Sequence, residues 1–292
     1  MLASITRRAI IIFLLLTILG TAVFLFAAQY FLAHLASGLD RAIIRQLLLL
    51  LAMFIPAASA ILVQRLLFHR PVHDLGWRLG PLRLYLQSYA TIALGFIINY
   101  GLTWAFIIPT NWTLANFLDS YAPSLPLPTP LLIIIVPLLT FILAPIINMI
   151  PALGEEIGWR GFLLPALAPL GTVRAIAISS TLWALWHLAI ISLLGFASVT
   201  ATWQAVALSF FMLLAFGLWL SYVWLKTTST ILTAFMHATF NAGSYAFWLL
   251  IFATGSKLLI RSAGLAGFIV LLIFGLVGLY FLVRRLKLGF KL

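Results

Sequence analysis

Long apolar runs separated by short polar stretches set the pattern of this chain. A helix that crosses a bilayer needs about 20 mostly apolar residues. The first such run covers residues 9–35 and follows Arg7 and Arg8. A basic start before an apolar core resembles a signal peptide, but the run is too long for one, and an uncleaved helix is expected. Further runs cover residues 45–65, 85–108, 131–153, 175–194, 203–225, 231–254 and 265–283. A basic loop with Arg65, Arg70, Arg78 and Arg83 separates the second run from the third, and its Asp74-Leu75-Gly76-Trp77 reads as a turn. Between the third and fourth runs lie Asp119, Pro123, Pro126, Pro128 and Pro130, a poor setting for helix. Apolar sequence resumes at 161–170, just after the fourth run. No internal repeat stands out.

Composition turns these runs into membrane spans. The chain is 64% hydrophobic and 8% charged, with a mean hydropathy of +1.20. A soluble domain carries about 25% charged residues. The absence of cysteine excludes disulfides, thiolate metal sites and cysteine nucleophiles. A net charge of +12 would suit nucleic acid, but the basic residues sit at the ends of apolar runs, where membrane topology accounts for them. With the N-terminus in the cytoplasm and eight crossings, the outer loops hold only Arg41, Arg45, Lys257 and Arg261 of the 17 lysines and arginines. The expectation is an all-α polytopic protein of the cell membrane, with about eight transmembrane helices and both termini cytoplasmic. Residues 1–292 form a single membrane domain with a motif-bearing core at about 131–254. Membrane lipid is an expected partner, and nucleic acid is not.

The few polar residues inside the runs carry the chemistry. Glu155 and Glu156 are the only glutamates, and Asp40, Asp74 and Asp119 are the only other acids. A carboxylate in lipid costs roughly 2.5–3.5 kcal/mol on insertion scales and usually faces a cavity or a partner. Glu156 and Arg160 are four apart, so on a helix they share a face and can pair. No basic residue lies one turn from Glu155, which makes it the better candidate for chemistry. His187 lies roughly 18 Å along the fifth run from its inner end. His237 and Asn241 share a face of the seventh run, at depths of about 9 and 15 Å. A lone intramembrane histidine most simply makes an interhelical hydrogen bond. Two histidines gathered with both glutamates point instead to a shared site. If the fourth helix ended at residue 153, Glu155 would lie at the surface, far from His187. The apolar 161–170 stretch resolves this, because Pro137 and Pro145 permit a late start or a kink that carries the glutamates into the membrane. The polar groups then meet in a cavity in the cytoplasmic half.

One glutamate and two neutral imidazoles make a catalytic zinc shell with water as fourth ligand, here Glu155, His187 and His237. Zinc would acidify that water and polarise a carbonyl. Without metal, Glu155 can serve as general base on water, helped by His187, while His237 and Asn241 hydrogen-bond the oxyanion of a tetrahedral intermediate. Both routes hydrolyse an acyl bond such as a peptide. His-Glu-x-x-His, Gly-x-Ser-Gly and Gly-x-Gly-Asp protease motifs are missing. Two other readings use the same residues. Buried Glu and His also build the proton relays of transporters, although polar residues confined to the second half of the chain disfavour the repeats common there. A non-catalytic immunity or scaffold protein would keep the same framework.

At these residues the sequence resembles the CPBP family of intramembrane proteases, the type II CAAX prenyl endopeptidases and their prokaryotic Abi-type relatives. Glu155, Glu156 and Arg160 match its Glu-Glu-x-x-x-Arg motif. His187 matches Phe-x-x-x-His, with Trp183 in place of Phe, a departure that conserves bulk. His237 and Asn241 match His-x-x-x-Asn. The motifs lie in order between Glu155 and Asn241, and the eight-run layout extends the resemblance over most of the chain. It implies an endopeptidase with its site inside the membrane. Glu155 and His187 would activate water, His237 and Asn241 would stabilise the oxyanion, and Glu156, Arg160 and Trp183 would support them. Members are often called metalloproteases, yet a metal-free glutamate mechanism is also proposed, and both remain open here. Substrates in the family include prenylated CAAX proteins, and prokaryotic relatives are linked to bacteriocin maturation or immunity.

Overall fold

A computed structural model of the protein describes residues 3–35, 39–106, 131, 135, 138–194, 203–251 and 265–287. The stretch around Asp119 and the loop bearing Lys257 and Arg261 lie outside them. All regular structure among the described residues is helical: α1 (Ser4–Ala33), α2 (Leu39–Ala52), α3 (Ile55–Leu66), α4 (Leu82–Phe106), α5 (Leu139–Leu170), α6 (Thr172–Leu194), α7 (Trp203–Thr227), α8 (Thr230–Ile251) and α9 (Leu265–Lys287). A helix forms over each apolar run because lipid offers the backbone no hydrogen-bond partner of its own. Among the described residues, five segments are long and apolar enough to cross a membrane: Ser4–Ala33, Ile43–Leu66, Leu139–Leu170, Thr172–Ile190 and Val206–Thr227.

Two elements depart from a simple reading of the runs. The second run is not one straight helix but α2 and α3, joined at Met53 and Phe54. Pro56 sits in the first turn of α3 and has no N–H to continue the ladder of α2. The joint closes with shorter-range bonds, Met53 N–H to Leu50 O and Phe54 N–H to Leu51 O. The fourth run extends well past residue 153, so Glu155 and Glu156 fall near the middle of α5 rather than at its end. This helix changes pitch on the way: Leu139–Leu143 and Ile157–Leu163 are π-helical, and Ala144–Glu156 between them is α-helical.

α5 lies at the centre of the packing. It is covered most extensively by α8, and α3 crosses its second π segment. α7 packs between α6 and α9, α4 against α8 and α9, and α1 against α3. The approach of α3 depends on glycine. A Cβ on Gly154 would lie 2.5 Å from the carbonyl oxygen of Met53, and one on Gly158 would lie 2.6 Å from Pro56 Cβ. Gly161 continues the stripe against the carbonyl of Leu75. Small residues spaced by four let helix backbones touch, as they do in membrane interfaces generally. On the neighbouring side Phe13 of α1 packs on Trp159 and Phe162, with ring centroids 5.8 and 5.0 Å apart. α5 is thus fixed from several directions, which a helix bearing buried charge requires.

Candidate active site

Three helices bring the polar residues together. α5 carries Glu155, Glu156 and Arg160, α6 carries Trp183 and His187, and α8 carries His237 and Asn241. The start of α8 is fixed by the loop after α3. Ser229 Oγ accepts the Leu232 N–H at 3.0 Å and donates to the carbonyl of Arg78, a serine N-cap with a second partner. Thr230 Oγ1 donates to Leu75 O at 2.7 Å, and Thr230 N–H donates to Gly76 O at 2.8 Å. Gly76 presents its carbonyl from a left-handed turn with φ of 80°, which glycine adopts without strain. This is the turn legible at Asp74–Trp77. His237 follows Thr230 by two helical turns, so the anchor sets its height. α6 is fixed by Trp186 Nε1, which donates to Thr21 Oγ1 of α1 at 2.8 Å, and by Ser179 Oγ, which donates to Trp159 O at 3.1 Å.

The two carboxylates have different neighbours. Arg160 Nη1 donates to Glu156 Oε1 at 2.9 Å, the pair expected from their spacing, and both side chains are fully buried. Arg160 Nη2 reaches Gly217 O of α7 at 3.4 Å. The same Glu156 oxygen meets His237 Nδ1 at 2.8 Å. Glu156 Oε2 and Arg160 Nε make no hydrogen bond among the described residues. Glu155 lies on the other side of this pair. Its Oε2 accepts the Trp183 Nε1–H at 2.8 Å and stands 3.4 Å from His187 Nε2, and its Oε1 stands 4.0 Å from His237 Nε2.

The partners of the imidazoles fix their tautomers. His187 Nδ1 lies 3.2 Å from Trp183 O, which can only accept, so Nδ1 carries a proton. His237 Nδ1 faces a carboxylate already bonded to Arg160, so it too donates. Both rings therefore turn Nε2 toward Glu155. Glu155 is 2% exposed and His237 is also 2% exposed, whereas 14% of the His187 side chain is accessible. Asn241, one turn beyond His237, is half-buried and bonds neither carboxylate. The expected polar cavity takes a different form: the polar groups pack on one another, with His187 and Asn241 as the accessible members. A small, partly open pocket lies between α4, α7, α8 and α9, with a mostly apolar lining that includes Phe96, Trp219, Phe240 and Phe274 beside Thr91 and Asn99.

Glu155, His187 and His237 are also the donors a zinc ion would use, and each histidine gives its second nitrogen to an oxygen, as metal-bound histidines do. The three donors do not form a closed shell around one point. Among the described residues no group of three His, Cys, Asp or Glu side chains is gathered as a metal site. Glu155 Oε2 and His187 Nε2, 3.4 Å apart, have about the separation of two donors on one tetrahedral zinc, but Glu155 Oε1 and His237 Nε2 stand wider at 4.0 Å, and Glu155 Oε2 already accepts from an indole.

Some residues of the site were not evident from sequence. Trp183 reads as bulk, yet its N–H is the shortest contact to Glu155. Gly217 contributes a carbonyl to Arg160, and its own position allows close packing, since a Cβ there would meet Ser180 Cβ at 3.0 Å. The Gly154-x-x-x-Gly158 spacing was a readable sign of close helix contact at the site. Nothing in sequence singles out Gly217.

Residues 130–243 match the family described as Rce1-like, type II CAAX prenyl endopeptidase Rce1-like. That stretch holds every motif residue of the site. No curated protein matches the chain.

Proposed function

We propose that this chain, which belongs to the Rce1-like type II CAAX prenyl endopeptidase family through residues 130–243, is an intramembrane endopeptidase that uses Glu155 as its base. The observation that carries the reading is the division of labour between adjacent carboxylates. Glu156 is consumed by Arg160 and His237. Glu155 has only an indole N–H as a close donor, faces His187 Nε2 at 3.4 Å, which bears a lone pair when neutral, and stands 4.0 Å from His237 Nε2.

In this reading a water donates one hydrogen to Glu155 and the other to His187 Nε2. Glu155 takes the first proton as the water oxygen attacks the scissile carbonyl carbon. The carbonyl becomes an oxyanion, which His237 and Asn241 stabilise from α8. His237 Nδ1 already donates to Glu156, so Nε2 can donate to the oxyanion only if the ring carries both protons. The charge count favours this, because two carboxylates and one guanidinium leave one negative charge that an imidazolium cancels. Collapse of the intermediate breaks the C–N bond, and the proton on Glu155 passes to the departing amine. Arg160 and Trp183 support the base without touching the substrate.

The membrane setting belongs to the same proposal. The chain forms a single membrane domain whose motif-bearing core lies at about 131–254. α4, α8 and α9 also cross the bilayer, which gives eight crossings with both ends on the cytoplasmic side of the cell membrane. The substrate is a peptide segment of a membrane-embedded or lipidated protein, either a prenylated CAAX-like terminus or a small bacteriocin-type peptide. The test is hydrolysis in H₂¹⁸O by the purified full chain in nanodiscs, with a farnesylated CAAX peptide and a panel of hydrophobic single-span peptides. The expected product carries one ¹⁸O in its new terminal carboxylate. Failure to cleave any member of the panel would remove the reading.

A further inference from the structure

Trp183 contacts both Glu155 and Arg160. Its Nε1–H donates to Glu155 Oε2 at 2.8 Å, and its ring lies beneath the Arg160 guanidinium, with Cζ 4.6 Å from the ring centroid. The side chain is fully buried, where hydrogen bonds and cation–π contacts are stronger than in water. The indole also meets His187 and His237 edge-on, at centroid distances of 4.5 and 5.6 Å. One residue therefore touches four of the groups that define the site.

Arg160 has a long, flexible side chain, and its Nε makes no hydrogen bond among the described residues. Arg160 bonds Glu156, the residue next to Glu155 in sequence, and the Trp183 indole contacts both Arg160 and Glu155. A guanidinium on Glu155 would occupy the oxygens that a water must reach. We propose that Trp183 is a positioning residue that separates the roles of the two glutamates: its N–H holds Glu155 in place for proton transfer, and its ring face keeps Arg160 on Glu156. The hydrogen bond fixes the plane of the Glu155 carboxylate, so that Oε2 faces His187 and Oε1 faces His237. Phenylalanine would supply the ring face but not the N–H. The two functions can therefore be separated by substitution. The inference rests on the reading of Glu155 as the base.

The experiment uses the full chain in nanodiscs, with an internally quenched farnesylated CAAX peptide as probe. Trp183→Phe is expected to lower kcat about 10- to 100-fold, the effect of losing one hydrogen bond to a charged group, with KM within about twofold of wild type. Trp183→Leu removes the ring face as well and is expected to lower kcat further. A second arm records the indole N–H resonances of ¹⁵N-tryptophan-labelled protein. The signal missing from Trp183→Phe identifies Trp183, and that signal is expected to move upfield in Glu155→Ala. Wild-type kcat in Trp183→Phe, or a rise in KM matching the fall in kcat, would overturn the inference. So would an indole signal that Glu155→Ala leaves in place. A wild-type protein that turns over neither this probe nor any of the single-span peptides overturns the role in proton transfer together with the peptidase reading, and the resonance arm then decides separately whether the indole holds Glu155.

Discussion

His237 Nδ1 lies 2.8 Å from Oε1 of Glu156, the oxygen that Arg160 also bonds. One buried carboxylate oxygen thus joins two helices, α5 and α8, and orients the imidazole that faces Glu155. Glu156 is placed to organise the site rather than to react.

Loss of that oxygen should show first in stability. Glu156→Ala leaves the fully buried Arg160 without its counter-charge, and removal of one partner of a buried pair costs about 3–5 kcal/mol. Thermal unfolding in detergent should show a large drop in Tm for Glu156→Ala and for Arg160→Ala. A combined Glu156→Gln, Arg160→Met variant should recover much of the loss, because no uncompensated charge remains. Equal instability of the single and double variants would contradict this account of the pair.

The glycine stripe on α5 gives a separate test of the packing. Alanine at Gly158 places a methyl group 2.6 Å from Pro56 Cβ and 2.7 Å from its carbonyl oxygen. Neither can yield without moving the α2–α3 joint. Overpacking of this kind costs about 1–3 kcal/mol, so Gly158→Ala should lower Tm, and the loss should be larger for Gly158→Val. Gly80 has open space around it, but its φ of 71° makes it unsuitable as a neutral control. An unchanged Tm in Gly158→Ala would mean that α3 does not approach α5 this closely.

Metal dependence can be measured directly. Glu155 already accepts an indole N–H, and among the described residues no three His, Asp or Glu side chains are arranged to hold an ion. Peptide cleavage by protein treated with EDTA or 1,10-phenanthroline should stay within about twofold of the untreated rate, and elemental analysis should find well under one zinc per chain. Abolition by chelator with recovery on adding zinc would show that the three side chains close around an ion.

Much of this arrangement was legible because lipid simplifies the code. Apolar runs predicted the extents of α1, α4, α6, α7, α8 and α9 to within a few residues, since a spanning backbone has few alternatives to helix. The Glu156–Arg160 pair followed from spacing alone. The α2–α3 joint was less legible, because Pro56 near the start of a helix can either be tolerated or end the preceding one. The π segments of α5 were not legible, since they depend on how the helix meets its neighbours. The role of Trp183 escaped for a related reason. A sequence shows that an indole is present, but only a rotamer fixed by packing shows where its N–H points. The sharing of one Glu156 oxygen between Arg160 and His237 likewise joins residues 81 positions apart.

The most direct measurement compares wild type with Glu155→Gln in nanodiscs, by mass spectrometry of the products from the farnesylated CAAX peptide and the single-span panel. Glutamine keeps the size of the side chain and an oxygen to accept the Trp183 N–H, but it cannot take a proton from water. The account predicts specific cleavage by wild type and a rate lower by about 10²–10⁴-fold in the variant, with Tm nearly unchanged. Cleavage by Glu155→Gln at close to the wild-type rate would contradict it.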